Sequence, residues 1–404
     1  MRMPILWYLA YGLLVSSGSW AETYHVGPSR DTQNLQAIAS RLQPGDVVEI
    51  DPGVYREVMT WRAKGTPEKP IVIRGVGNPR PVFDADQLNV SGRGSIPRAI
   101  FQIEGAYLLI EHLEFRNARN GNNGAGIRLN DSTYATIRDC KISFCDMGIQ
   151  GGDRETVVIE DCEVCSNGCA EFNGYSHNFY MAGNRVVVRR SYIHDSLYGQ
   201  NYKSRAHYNE LWYNWIMNSN EGEVGPVDGK GQTDRPHSNV LLVGNVIISK
   251  PDRTGNRSKY ILMGSESGDS HDGTLYMFYN VLIAGSPRVQ CIILDDPKSN
   301  AEVYGNIFWG SSHILDNVKN SKVVLGRYNW MPKEANVPSG FTQSFTSSQP
   351  GFVNQKENDF RLTPDSPLIQ PPMDTLIYID GDGITRRVPT DPMLLQKVRS
   401  IKFE

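Results

Sequence analysis

Val243-Gly244-Asn245-Val246-Ile247 and Phe278-Tyr279-Asn280-Val281-Leu282 are written to one plan: a small or polar centre, then an apolar side chain two positions on. The plan continues downstream as Tyr304-Gly305-Asn306-Ile307-Phe308 and Arg327-Tyr328-Asn329-Trp330-Met331. Upstream it appears as Trp212-Tyr213-Asn214-Trp215-Ile216, Arg189-Arg190-Ser191-Tyr192-Ile193 and Glu160-Asp161-Cys162-Glu163-Val164, then as Arg138-Asp139-Cys140-Lys141-Ile142 and Glu111-His112-Leu113-Glu114-Phe115. The centres stand at 113, 140, 162, 191, 214, 245, 280, 306 and 329, with steps of 22 to 35 residues. Short β segments at such a period indicate a solenoid, because one repeat cannot bury its own apolar face and must stack on the next.

Side chains alternate along a strand, so the central residues fall on one interior line running from coil to coil. Asn amides stacked on that line can bond one another along the axis and satisfy buried polar groups at a turn. The reading is an all-β, single-domain, right-handed parallel β-helix spanning 22–345. Handedness follows the near-universal rule for parallel crossovers. Asn34–Leu42, with apolar residues at 35, 38 and 42, predicts an N-terminal capping helix. Residues 346–404, including Phe352–Leu362 and Ser366–Ile369, predict a C-terminal cap or tail packed on the solenoid.

Composition narrows the function. A formal net charge of −3 in 404 residues offers no basic field for nucleic acid. Arg2, the short apolar run Ile5–Val15 and Ser19-Trp20-Ala21 read as a signal peptide over 1–21, which predicts a periplasmic or secreted protein. No stretch reaches the ~20 apolar residues of a membrane span. Five of the six cysteines (Cys140, Cys145, Cys162, Cys165 and Cys169) crowd into thirty residues; Cys291 is the sixth. No His lies at zinc-ligand spacing, so they read as stacked core residues with room for one or two disulfides between coils.

The widest steps between centres, from 191 to 280, mark the binding face, since insertions in repeat proteins map there. Within them, Asn201-Tyr202-Lys203-Ser204-Arg205-Ala206 alternates so that Tyr202, Ser204 and Ala206 face inward, and Asn201, Lys203 and Arg205 face an outer groove. An Arg can neutralise a uronate carboxylate, which acidifies the C5 proton, and a neighbouring Lys can remove it. Tyr180 and His177 are candidates to protonate the leaving oxygen. Asn178, Tyr198, Asn201, Arg235 and His237 are candidate sugar contacts. Glu221, Glu223 and Asp228 are candidate oxygen ligands for Ca²⁺. The non-catalytic alternative is a basic strand paired with Glu221 and Glu223 of the next coil. Asp295-Asp296 is a weaker carboxylate pair of the kind glycoside hydrolases use.

The repeat, the N-terminal helix and the Asn line resemble the right-handed β-helix superfamily of pectate, alginate and chondroitin lyases and related epimerases. More narrowly, Asn201-Tyr202-Lys203-Ser204-Arg205-Ala206 resembles the Lys-Ser strand of the alginate and chondroitin B lyase family. That likeness implies Lys203 as the base; Arg205, in the same strand, does not correspond to that family's assisting Arg. Leu197, Tyr198 and Gly199 stand where the family places a calcium-ligating Glu. The strand is also similar to that of bacterial β-helix repeat proteins with Gly-His-Asn-x-Lys-Ser-Arg-Ala, where Gln200 replaces the His. The resemblance implies a monomeric lyase of acidic polysaccharide, with C5-epimerase or non-catalytic carbohydrate binding as the alternatives.

Overall fold

In a computed structural model, residues 21–251, 259–264, 266–320, 323–366, 368, 376–388 and 392–400 are described. The signal-peptide segment falls outside them. Each full coil contributes three short strands, here named leading, middle and trailing; Tyr202–Ser204, Tyr208–Trp212 and Trp215–Met217 form one such set. The coil strands pair in parallel with their counterparts one coil away, as Tyr192–His194 does with Trp215–Met217 and Trp215–Met217 does with Val246–Ile248, while two short antiparallel pairs lie in the C-terminal segment. Among the described residues the strands form parallel sheets of twenty-one and twelve members. The larger joins leading and middle strands because Met147–Glu160 and Phe179–Arg189 run through both positions. This is a parallel β-helix.

The core is the interior of the coils. Ile110, Ile137, Ile159, Val188, Leu211, Leu242, Met277 and Val303 are buried in it, one from each successive middle strand. The expected Asn line is present at the turn between middle and trailing strands. Oδ1 of Asn245 accepts from the backbone N–H of Asn214 at 2.9 Å and from its Nδ2 at 3.0 Å. Nδ2 of Asn245 donates to Leu211 O and to Asn280 Oδ1, both at 2.9 Å. The same four bonds recur at Asn280. Upstream the line continues with Ser191 Oγ and Cys162 Sγ as acceptors. Each residue just before the line has positive φ, from Asp139 at 47° to Gly305 at 68°. Two of these are glycines. A Cβ at Gly244 would stand 2.6 Å from the Tyr213 ring, and one at Gly305 would stand 2.7 Å from the Tyr279 ring. Glycine there lets aromatic rings lie flat against the next coil's turn.

Two expectations change. The helix expected over Asn34–Leu42 is one turn, Gln36–Ala39. Leu35, Ile38 and Leu42 still enter the core, but so short a stretch does not repay helix nucleation. It contacts the first coils through three side chains, not as a capping helix. Secondly, all six cysteines are buried free thiols with no disulfide between them. The Cys162 sulfur accepts the Cys140 N–H at 3.5 Å, so these two cysteines serve as stacked ladder positions and not as a covalent pair. Burial pushes the Cys145 and Cys291 thiols up to about 12, which leaves them inert.

The C-terminal segment lies along the flank of the solenoid. Phe360, Leu362, Leu368 and Val398 pack on the outward residues Trp215, Val246, Val281 and Ile307 of the trailing strands. Tyr378, Val388 and Leu395 cover Leu241, Val243, Tyr276 and Phe278 on the middle strands. Hence Val240–Val243 is buried on both faces and reads as an unbroken apolar run.

Candidate functional site

The leading strand Tyr202–Ser204 sits between Phe179–Arg189 and Val224–Pro226, with Lys203 opposite Tyr180 on one side and Gly225 on the other. Tyr202, Ser204 and Ala206 are fully buried in the interior, as alternation predicts. Lys203 points outward but is covered: its side chain is 5% exposed. Its Nζ lies 2.7 Å from Glu266, and 5.8 Å from the centre of the Tyr180 ring. The other Glu266 oxygen accepts from Arg205 Nη2 at 2.8 Å. One carboxylate therefore bridges the two cations. Arg205 also donates through Nε to the Tyr180 hydroxyl at 3.1 Å and through Nη1 to Ser267 Oγ at 3.0 Å and to Asp228 O.

Glu266 was not legible in the sequence. It stands 63 residues beyond Lys203, in a polar Glu-Ser-Gly-Asp turn, and only the coil geometry returns it to that strand. Asp228 anchors this turn. Its fully buried carboxylate accepts the N–H groups of Glu266, Ser267 and Asp269 at 2.5, 2.9 and 2.7 Å. Burial opposes its ionisation, but those amides outweigh it and hold its pKa below the usual carboxylate range.

His177 is buried beneath the cluster, edge-on to Tyr180 with ring centres 5.5 Å apart. Its Nδ1 accepts the Gln200 N–H at 2.9 Å. Burial, reinforced by Lys203 and Arg205, holds the ring neutral, well below its ordinary pKa. It packs edge-on against Tyr180. The Gln200 amide covers Gly225, where a Cβ would come within 2.3 Å of Oε1. That Oε1 is buried with no hydrogen-bond partner.

Other predicted residues lie elsewhere. Asn178 and Asn201 are fully buried and form a second interior ladder. Asn167 donates to Asn178 Oδ1 at 2.9 Å, Asn178 to Asn201 Oδ1 at 2.7 Å, and Asn201 to Glu223 Oε2 at 2.6 Å. Alternation fails at Asn201 because it precedes the strand and belongs to the turn. The signal was available: Asn178-Phe179-Tyr180 and Asn201-Tyr202-Lys203 align one coil apart.

Glu223 closes this ladder inside the coil, while Asp228 is engaged by loop amides. Among the described residues, Glu221, Glu223 and Asp228 are not brought together as ligands, so the expected Ca²⁺ set does not assemble. Tyr198 is half-buried near Gly168, and the exposed His237 abuts Gly383 of the C-terminal segment; neither touches the Lys203 cluster. Asp296 accepts the N–H of Lys298 in its own turn and that of His271 one coil earlier.

Arg235 does line a groove of about 480 Å³ beside the cluster, with Arg128, Arg154, Asp131 and Gln232. Its floor includes Gly152 and Ala182, which pair across adjacent strands. Ala182 follows Met181, the partner of Ser204, so its strand lies next to the one that leads into Arg205. Arg128 donates to Gln150 Oε1 at 2.7 Å. Burial, with the Arg98 charge adding to it, makes its own charge costly. A larger depression of about 680 Å³ near Met59, Arg62 and Pro97 holds none of the predicted residues.

No protein-family model matches the chain, and no curated protein matches it in sequence. Among solved structures it is similar to pectate lyase Pel9A, with a TM-score of 0.52 and 14% identity over 86% of this chain and 91% of that one. It is also similar to XylC in complex with xylose, with a TM-score of 0.51 and 10% identity over 92% of this chain and 96% of that one. At such identities the likeness is one of architecture: the chain shares with both the parallel β-helix.

Proposed function

We propose that the protein is a secreted, polysaccharide-binding β-helix that cleaves a uronate-containing polymer by β-elimination at Lys203, Arg205 and Tyr180. The observation that carries this is the Glu266 carboxylate held jointly by Lys203 and Arg205 beside a groove with three arginines. Two cations already grip a carboxylate there, in the manner a uronate would be gripped. The Glu266 side chain is 36% exposed while its backbone is pinned by Asp228. A substrate carboxylate can therefore exchange with the side chain without moving the loop.

With the uronate on Arg205, Lys203 as the free amine takes the C5 proton. The electron pair forms the C4–C5 double bond, the C4–O bond breaks, and Tyr180 protonates the leaving oxygen. The Tyr180 oxygen accepts from Arg205, which leaves its own proton free to be donated. Incubation with a panel of uronate polymers, followed by ultraviolet absorbance of the unsaturated product, tests this. Lys203→Ala and Tyr180→Phe are each expected to lower kcat by about 10²–10⁴-fold, the usual share of general acid–base catalysis. Absence of product from every polymer sinks the lyase reading.

A second reading has its own support. The ammonium of Lys203 is buried against Glu266, an arrangement suited to a fixed charge. Non-catalytic binding at the same groove predicts polymer retention in gels without turnover, lost on Arg128→Ala and Arg235→Ala.

A further inference from the structure

The outer face of the trailing strands carries a second constellation, independent of the enzymatic reading. Cys165 pairs in register with His194 of the next coil, and Glu163 lies two residues before Cys165. Their ligand atoms, Cys165 Sγ, an imidazole nitrogen of His194 and a Glu163 oxygen, all lie within 4.8 Å of one another. His194 Nε2 and Cys165 Sγ are each 3.5 Å from Glu163 Oε1. Ligands on adjacent corners of a zinc tetrahedron, at the usual bond lengths, stand about 3.4–3.6 Å apart. Two of the three edges therefore already have the length a bound ion requires.

The ring is oriented for that purpose. His194 Nδ1 meets the Asp195 carboxylate at 2.6 Å, and Tyr192 stacks on the ring with centres 3.9 Å apart. A carboxylate on Nδ1 fixes the proton there and turns the Nε2 lone pair toward the other two ligands, the arrangement found behind metal-bound histidines. Nε2 is buried and faces Glu163 Oε1 at 3.5 Å. Three potential ligand atoms thus converge, and the Lys141 ammonium also lies 2.9 Å from the same Glu163 oxygen. Glu163 and Lys141 are each 36% exposed, so an ion can reach the site and displace the ammonium.

We propose that Glu163, Cys165 and His194 form a binding site for a zinc-class divalent ion, completed by water and oriented by Asp195. A thiolate with an imidazole selects zinc or cobalt over calcium. Local sequence spacing conceals the site, because Cys165 and His194 are one coil apart and not within a CxxC or HxxxH motif.

The test uses the full chain after chelator treatment. Equilibrium dialysis against ZnCl₂ is expected to give one ion per chain, and dialysis against CaCl₂ none at this site. CoCl₂ is expected to produce a near-ultraviolet thiolate-to-cobalt band. Cys165→Ser and His194→Ala should abolish the band, with folding confirmed by circular dichroism. Cys169→Ser, at a thiol bonded instead to Glu171, should retain it. Asp195→Asn should keep the band but weaken affinity about 10–100-fold. Sub-stoichiometric zinc in the folded wild type, or a band that survives Cys165→Ser, overturns the proposal and leaves an ion-pair cluster of His194 with Asp195 and Glu163.

Discussion

His271 illustrates how single buried groups set the conditions under which this fold persists. It is fully buried; Nε2 donates to Ser238 O at 3.0 Å, and Nδ1 is buried without a partner. Burial, with His207 adding to it and Asp228 and Asp272 opposing, lowers its pKa from 6.5 to about 4. Above pH ~6.5 the ring is neutral in both folded and unfolded chains, and its contribution is intact. As pH falls below that value the unfolded chain takes the proton first. Stability is lost down to about pH 4, by roughly 3 kcal/mol in all. Urea titrations at stepped pH should show a shallower acid slope for His271→Asn than for the wild type; equal slopes would remove His271 from the account. Glu266 allows a second test at this scale. Glu266→Ala should raise affinity for uronate oligomers in calorimetry, since it frees Lys203 and Arg205. Weaker binding would mean that Glu266 itself belongs to the sugar site.

At the scale of the element, two polar ladders hold the turns in register. The amides of Asn245, Asn280 and Asn306 each accept two hydrogen bonds and donate at least two, so removing one member strands several groups at once. Asn280→Ala would remove the acceptor of both Asn245 donors and the donor to Leu242 O and Asn306 Oδ1. At about 1–3 kcal/mol per buried unsatisfied group, with partial relaxation, the expected loss is about 3–5 kcal/mol. Ser191→Ala, by contrast, takes away one acceptor, that of Cys162 N–H, and should cost about 1 kcal/mol. Denaturant midpoints for the pair check the contrast, and equal losses would mean that the ladder does not act as a network. The first ladder was legible because its members recur at one place in a five-residue pattern. The second, from Asn167 to Glu223, was not read, because strict alternation assigned Asn201 to the outer face. Alternation holds only while the backbone is extended, and Asn201 stands in the turn before the strand.

Across the whole molecule, the C-terminal segment turns an outer flank into a second core. Trp215 Nε1 donates to Val398 O at 2.7 Å, and Asn239 Nδ2 to Ile379 O at 2.7 Å. A chain ending after Ser347 should expose Trp215, Val246, Val281 and Ile307 together. It is expected to bind a hydrophobic dye and melt well below the full chain; an unchanged melting curve would show the segment to be dispensable. The repeat, the stacked Asn centres and the inward Tyr202-Ser204-Ala206 set were all readable from the sequence. They depend on local periodicity, and a strand's alternation converts position directly into direction. The Glu266 bridge, the meeting of Cys165 with His194 and the flank covered by the tail were not readable. Each joins residues separated by one or more coils, and the variable loops between coils decide which distant side chains meet. Local pattern determined the winding of this protein; its neighbours across the coils were chosen only when the chain closed on itself.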